Sequence, residues 1–241
     1  MNINTIYNCD CMKLLPKMLE NSVNLTLTDI PYDVVNRNDN GLRTLSKDNA
    51  DKLTFEIKLF LEELYRITKG TIIIFCAKEQ LSYIYKFFQE KQSQNEGTVR
   101  QLIWEKVNPS PMNGESIYLS GIENAVWFKK RGSVFNAHCK NTVFRYPCGK
   151  SVLHPTEKNH DLLKELILDN SNENDIVFDP CCGSGAHCLV ANCLNRNFIG
   201  IEIDNEYFKL AQHRIELLDN FNCLSDTSKE SNLPMGRKKL F

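Results

Sequence analysis

Apolar positions along the chain follow two alternating patterns. Short, nearly continuous apolar runs, which are typical of buried strands, occupy residues 4–7, 23–28, 71–76, 100–106, 123–130, 175–179 and 198–203. Between them, apolar residues recur every three or four positions, which predicts helices around 11–19, 52–68, 79–92, 159–170, 186–195 and 205–218. Gly70 follows the second helical stretch and is expected to end it.

The alternation of strands and helices predicts an α/β fold. Because the strands are almost continuously apolar, we expect a mostly parallel, seven-stranded sheet with helices on both faces. Ligands of such sheets bind beyond the carboxyl ends of the strands. The 241 residues suffice for one sizeable domain, which we place at 1–218, followed by a polar and flexible tail at 219–241.

The charge of the chain is unevenly distributed. The formal net charge is −1, which neither indicates nor excludes a nucleic acid partner. Eight basic and four acidic residues lie between Glu96 and Lys150, so this part of the chain carries a net charge of +4. It is either the natural face for a polyanion or an ordinary solvated surface.

The sequence contains no sign of export or membrane insertion. No apolar run approaches the length of a membrane span, and the first residues lack a signal-peptide pattern, so we expect a cytoplasmic protein without a membrane partner. Of the ten cysteines, Cys9 and Cys11 form a C-x-C pair and Cys181 and Cys182 a C-C pair, and there are no paired C-x-x-C motifs. We therefore expect reduced thiols and no metal site.

A glycine loop follows the predicted strand 175–179. Gly183 and Gly185 allow the backbone to turn sharply and to approach a ligand closely. Glu202 stands at the end of the next strand, where a carboxylate can accept two hydrogen bonds from ribose hydroxyls. The loop opens with Asp179, which would repel a pyrophosphate, so a ligand with ribose and an amino group fits better. S-adenosylmethionine has that character, whereas the glycine pair alone would also suit an ordinary turn.

The stretch HPTEK at 154–158 precedes the predicted helix 159–170. His154, Thr156 and Lys158 cluster there, and the lysine could pair with a carboxylate. Taken alone, the stretch also fits a plain helix entry that Thr156 or Asn159 caps.

The stretch DIPY at 29–32 follows the predicted strand 23–28. Asp29 could accept hydrogen bonds from an amine, and Tyr32 could stack on a planar base. The alternative interpretation is a strand that ends in a Pro-Tyr turn without chemistry.

Taken together, these motifs resemble those of the amino-DNA methyltransferases. DPCCGSG at 179–185 and HPTEK at 154–158 match cofactor motifs of that family, and DIPY matches its catalytic D-P-P-Y motif. NCDC at 8–11 and LIWEKVNPSP at 102–111 resemble further segments, in the same order. The catalytic motif precedes the cofactor loop, which is the permuted order of the beta group. The chain departs from the family pattern at Ile30, at Ala186-His187 and at Asn159.

The resemblance implies a Rossmann-like S-adenosylmethionine-dependent methyltransferase fold and assigns roles to individual residues. The implied catalytic residues are Asp29, Ile30, Pro31 and Tyr32. The implied contacts to S-adenosylmethionine are Asp10, His154, Thr156, Lys158, Asp179, Pro180, Gly183, Ser184, Gly185 and Glu202. A short target-recognition insert is expected at about 129–153, with Lys129, Lys130, Arg131, Lys140 and Arg145 as DNA contacts.

The implied reaction is methyl transfer to the exocyclic 6-amino group of adenine in double-stranded DNA after base flipping. An acid at the first catalytic position goes mostly with adenine in this family, so cytosine-N(4) methylation is the alternative. Methylation of a protein glutamine uses a related loop but the opposite motif order. A DNA-binding homologue with weakened catalysis is a further alternative, because of the three departures. A homodimer and a partner restriction endonuclease are also expected.

Overall fold

The computed structural model describes residues 1–32, 53–109, 114–148 and 158–227, with the side chains of the last helix described as far as residue 218. The strands are β1 (Thr5–Asn8), β2 (Val23–Asp29), β3 (Thr68–Cys76), β4 (Gly97–Lys106), β5 (Ile122–Lys130), β6 (Val143–Tyr146), β7 (Ile176–Asp179) and β8 (Asn197–Glu202). The helices are α1 (Cys11–Leu14), α2 (Ile57–Ile67), α3 (Lys78–Ser93), α4 (His160–Asn170), α5 (Ala186–Cys193) and α6 (Asn205–Thr227). A single 3-10 turn, Leu15–Lys17, follows α1.

All eight described strands form one sheet in the order β1-β8-β7-β2-β3-β5-β4-β6. Strand β5 pairs antiparallel with both β3 and β4, and the other pairings are parallel. The mostly parallel α/β sheet expected from the sequence is therefore confirmed. The carboxyl ends of β1, β8, β7, β2, β3, β4 and β6 meet at one edge, together with the start of β5.

The sheet has eight strands in the described residues, rather than the seven expected. The additional strand is β6, which lies within residues 131–153, where the apolar pattern predicts neither a strand nor a helix. It is four residues long, lies at the edge of the sheet, and buries only Phe144. A strand so short and half exposed carries almost no apolar period.

Gly70 does not end a helix, because α2 ends at Ile67 and β3 begins at the next residue. A side chain at Gly70 would place its Cβ 2.0 Å from the carbonyl oxygen of Asn24 in β2. The glycine therefore allows two strands to approach each other. Helix α6 also continues to Thr227, past residue 219, where the tail was expected to begin; residues 228–241 lie outside the described residues.

Helices cover the sheet on both faces, as expected. One core packs α4, α5 and α6 against the sheet, around side chains such as Leu163, Ile167 and Ala191. The other core packs α1, α2 and α3 against the opposite face, around Phe60, Leu64 and Phe88. In the part of the chain that the structure describes, no helix combines the length and the apolar composition needed to cross a membrane.

Candidate active site

Four acidic residues stand at the carboxyl ends of four adjacent strands. Asp10 follows β1 by two residues, Glu202 ends β8, Asp179 ends β7 and Asp29 ends β2. Since these strands neighbour one another in the order β1-β8-β7-β2, the four acids succeed one another along the same edge. Adjacent strands lie about 4.8 Å apart, so this edge presents a row of closely spaced carboxyl groups.

Glu202 is buried and forms a hydrogen bond with the backbone of the glycine loop. Its Oε2 accepts a hydrogen bond of 2.7 Å from the amide of Gly183, and its Oε1 accepts one of 2.7 Å from the amide of Asp204. Burial raises the pKa of Glu202, while the two amide bonds act in the opposite direction. The loop and the acid, nineteen residues apart, thus form one rigid unit.

Gly185 opens helix α5 with a φ of 79°, a left-handed conformation that favours glycine. A Cβ at this position would meet the Cβ of Ala211 in α6 at 2.9 Å. The loop is therefore packed tightly from both sides. Pro180 and Ser184 complete it and are buried, and the Ser184 carbonyl accepts a hydrogen bond from Arg214.

Asp179 is fully buried beneath the loop and contacts His187 of α5. Its Oδ2 lies 2.5 Å from His187 Nδ1, and its Oδ1 accepts a hydrogen bond of 3.0 Å from the amide of Cys181. His187 is one of the departures from the family pattern, and in this fold it supports the acid that opens the loop.

Asp10 caps the short helix α1. Its Oδ1 accepts a hydrogen bond of 2.9 Å from the amide of Met12. The neighbouring Asn8 donates to the carbonyl of Glu202 at 2.9 Å, which ties this corner to the glycine loop.

Asp29 is held by two partners and remains partly open to solvent, with 24% of its side chain exposed. The Tyr32 hydroxyl donates to its Oδ1 at 2.8 Å, and Lys158 forms a short ion pair with its Oδ2. Burial raises the pKa of Asp29; Lys158 lowers it, and the charge of Glu123 raises it further. The structure therefore joins two of the predicted motifs directly, through Asp29 and Lys158.

A second carboxylate, Glu123 at the start of β5, shares the same lysine. Lys158 Nζ lies 2.9 Å from Glu123 Oε2, and Lys106 Nζ at the end of β4 lies 2.7 Å from Glu123 Oε1. Burial would lower the pKa of Lys158, but Asp29 and Glu123 raise it well above its ordinary value. Burial likewise opposes ionisation of Glu123, yet Lys158 and Lys106 bring its pKa below the ordinary value. Four alternating charges thus run from Lys106 to Asp29.

Sequence reasoning missed Glu123 and Lys106. Both belong to the charged set between Glu96 and Lys150, which the sequence presents only as a basic region. The available signal was a charged residue at the end of an otherwise apolar strand, in each of two neighbouring strands.

The DIPY loop is held by two backbone hydrogen bonds and one buried side chain. The Ile30 amide donates to the carbonyl of Phe75 at 3.2 Å, and the Ile30 side chain is only 2% exposed within the core beneath α2. Gln80 of α3 donates to the carbonyl of Pro31 at 3.0 Å, while its own Oε1 accepts from the amide of Ala77. Gln80 is a further residue that sequence reasoning missed.

The predicted DNA contacts do not form one surface around Asp29. Lys129, Lys130 and Arg131 lie at or just after the carboxyl end of β5, which is the antiparallel strand. They are therefore at the opposite edge of the sheet, about 20 Å along the strand from Glu123. Lys130 is turned inward, where it donates to the carbonyl of Tyr65 at 2.7 Å.

The two remaining basic residues have acidic partners. Lys140 contacts Asp169 at 2.6 Å and Glu165 at 2.9 Å. Arg145, near the carboxyl end of β6, contacts Glu105 at 2.9 Å and keeps 72% of its side chain exposed. Arg145 is thus the predicted contact that stands exposed near the edge carrying Asp29. His154 and Thr156 lie outside the described residues.

Comparison with known proteins defines the class to which this fold and site belong. The profile of the family described as DNA methylase matches residues 23–213. The Type II methyltransferase M.HpaI of Haemophilus parainfluenzae is 32% identical over 91% of this chain and 77% of its own length. The DNA adenine methyltransferase YhdJ of Escherichia coli K12 is 28% identical over 91% of this chain and 85% of its own. The chain belongs to the DNA methylase family.

A solved structure agrees with this result. The M1.HpyAVI–SAM complex is 30% identical to this chain, covers 87% of it and 98% of its own length, and superposes with a TM-score of 0.68. The Rossmann-like, S-adenosylmethionine-dependent methyltransferase fold is confirmed, and the chain is an enzyme that transfers methyl groups from S-adenosylmethionine to DNA.

The residues at the edge fit that cofactor. The carboxylates of Asp10, Glu202 and Asp179, at the ends of neighbouring strands, suit a ligand that carries an ammonium group and ribose hydroxyls. The Gly183 amide already orients Glu202. The loop opens with a buried acid and therefore disfavours a phosphate. Among the described residues, no group of three or more His, Cys, Asp or Glu side chains is placed to hold a metal ion.

Proposed function

We propose that the enzyme methylates the exocyclic 6-amino group of adenine at a specific sequence in double-stranded DNA. The observation that carries this proposal is the position of Asp29. Its carboxylate is partly open, lies on the strand next to the one that bears the cofactor loop, and sits beside an aromatic ring. An acid at this position, together with the adenine-specific name of one relative, favours adenine over cytosine.

The target base must leave the duplex before the amine can reach Asp29. Flipping costs a few kcal/mol of stacking and pairing, and an aromatic platform recovers about 1–3 kcal/mol of it. We assign the platform to Tyr32, whose hydroxyl is held by Asp29 at 2.8 Å. The hydrogen bond fixes the edge of the ring, and the Lys158 ammonium lies 5.8 Å from the ring centroid.

The amine of adenine is a weak nucleophile because its lone pair is delocalised into the ring. The Asp29 carboxylate and the Ile30 carbonyl supply two acceptors for its two hydrogens. A carboxylate has about four lone-pair sites, so Asp29 can accept from the amine while Tyr32 and Lys158 remain bound. As positive charge grows on the nitrogen, the fixed carboxylate stabilises it, and Asp29 then accepts the proton that leaves.

When bound, S-adenosylmethionine supplies an electrophilic methyl group. We assign its adenine to Asp10, its ribose to Glu202 and its amino acid part to the loop from Asp179 to Gly185. The family resemblance implies further contacts from His154, Thr156 and Lys158. The rigid packing of the loop against α6 and Glu202 supports this assignment, since it preorganises the cradle.

Two partners are proposed in addition to DNA. The designation Type II among the relatives supports a role in restriction-modification beside an endonuclease of the same specificity. A homodimer is proposed from the family resemblance, and light scattering of the purified protein tests it.

Nucleoside mass spectrometry of DNA incubated with the enzyme and S-adenosylmethionine tests the reaction. We expect N6-methyladenine; N4-methylcytosine alone would establish the alternative base. Calorimetry with S-adenosylmethionine addresses the weakened homologue, because absent binding together with absent transfer would identify a protein that no longer catalyses. Transfer to a protein glutamine instead of DNA would contradict the proposal as well.

A further inference from the structure

Lys158 lies between two carboxylates that come from different strands. Its Nζ pairs with Asp29 at the end of β2 and lies 2.9 Å from Glu123 at the start of β5, with only 4% of the side chain exposed. A buried ammonium on one carboxylate would neutralise it and weaken it as an acceptor. A second carboxylate divides the attraction of the ammonium between two sites.

We propose that Glu123 is a positioning residue for methyl transfer, which holds Lys158 so that Asp29 stays available to the amine of the target base. Glu123 reaches neither the base nor the cofactor; it acts through Lys158. The inference rests on the proposed function, because it gives Asp29 the role of amine acceptor.

Lys106 sets how strongly Glu123 attracts Lys158. Its Nζ lies 2.7 Å from Glu123 Oε1, while the Lys158 ammonium forms an ion pair with the other oxygen at 2.9 Å. Loss of Lys106 leaves Glu123 with Lys158 as its remaining close cation among the described residues. The ammonium of Lys158 is then drawn toward Glu123 and away from Asp29.

This arrangement predicts that Glu123→Gln and Lys106→Gln shift the pKa of Asp29 in opposite directions. Among the described residues, the titratable groups that act on Asp29 are Lys158, Glu123, the Tyr32 hydroxyl and the nearby Cys76 thiol. Because Glu123 raises the pKa of Asp29, Glu123→Gln lowers that pKa and moves the acid limb of the kcat profile to lower pH. Because Lys106→Gln draws Lys158 toward Glu123, it moves the same limb to higher pH.

The test measures kcat, the KM for S-adenosylmethionine and the pH profile of kcat for the full-length enzyme and both variants. For Glu123→Gln we expect kcat to fall about 10- to 100-fold, the loss typical of removing a group that orients a site residue. The KM for the cofactor should stay near the wild-type value, and Glu123→Asp should recover part of the activity.

Glu96→Gln is the matched control. Like Glu123, Glu96 pairs with a lysine, Lys91 at 3.6 Å, and it also accepts a hydrogen bond of 2.5 Å from Tyr65, but it lies at the opposite edge of the sheet. Its pH profile should be that of the wild type.

The outcomes separate this inference from the proposed function. If the wild type methylates adenine while Glu123→Gln keeps both kcat and the acid limb, the positioning role is contradicted and the reaction stands. If Glu123→Gln unfolds, Lys106→Gln decides, since a limb that does not move to higher pH contradicts the inference. If the wild type methylates no adenine, the proposed function itself fails.

Discussion

Ile30 shows how one residue can depart from a family pattern without loosening the site. The sequence raises the concern that a loop with isoleucine in place of proline is softer. The structure gives isoleucine two anchors, an amide bond to the Phe75 carbonyl and a side chain buried in the core. Proline could supply neither the amide hydrogen nor the same apolar volume.

Ile30→Pro therefore tests the loop. We expect a loss of about 1–3 kcal/mol in the free energy of unfolding, from the missing hydrogen bond and the poorer core packing. Urea unfolding measures this loss. Methyl transfer should remain of the wild-type order, because the carbonyl at position 30 is retained. An unchanged stability would show that the two anchors contribute nothing.

Asp29→Ala tests the catalytic assignment at the same scale. We expect transfer to fall by at least about 10²-fold, as when a group that stabilises transition-state charge is removed. Binding of S-adenosylmethionine, measured by calorimetry, should persist because the glycine loop and Glu202 are untouched. Retained transfer would contradict the role given to Asp29.

At the scale of elements, the apolar period predicted most strands and helices to within a few residues of their observed bounds. The apolar period did not predict features that depend on contacts distant in sequence. The short edge strand β6 exists because β4 offers a free edge, which is a tertiary property that four residues cannot encode. Gly70 was assigned to a helix end because its real reason, the approach of β2, is not local in sequence.

Gly70→Ala tests that close approach. The new Cβ would lie 2.0 Å from the Asn24 carbonyl oxygen, so β2 and β3 must move apart. We expect a loss of about 1–3 kcal/mol or more in the free energy of unfolding, measured by urea titration. Gly121→Ala is the control, because its Cβ would meet nothing closer than a backbone oxygen at 4.0 Å. Equal stability of the two variants would contradict this account of Gly70.

The candidate site could likewise be predicted only in part from the sequence. The acids at the strand ends and the glycine loop could be predicted, since a strand followed by a characteristic turn is a local pattern. The partners that set their charges could not. Glu123, Lys106 and Gln80 reach the site only because β3, β4 and β5 lie beside one another in the folded sheet.

At the scale of the whole molecule, the antiparallel direction of β5 places the basic residues of the expected recognition segment at two opposite edges of the sheet. Arg131 follows the end of β5 at the edge opposite Asp29, whereas Arg145 is exposed near the carboxyl end of β6. We therefore expect a duplex that delivers a base to Asp29 to pass Arg145 rather than Arg131. The family resemblance implies one recognition segment that contains both residues.

Arg145→Ala should therefore weaken DNA binding, and Arg131→Ala should not. If Arg145 neutralises one phosphate, its loss reduces the slope of log affinity against log salt by about 1. Fluorescence anisotropy across a salt series measures this slope for both variants. A larger effect from Arg131 would place the DNA at the other edge of the sheet.

Single-molecule sequencing of unmethylated DNA after incubation with the enzyme and S-adenosylmethionine tests the central claim most directly. The account predicts N6-methyladenine at one recurring short sequence, because the role proposed for Asp29 and Tyr32 is to receive a flipped adenine. Unmodified DNA, or methyl groups found only on cytosine, would contradict it.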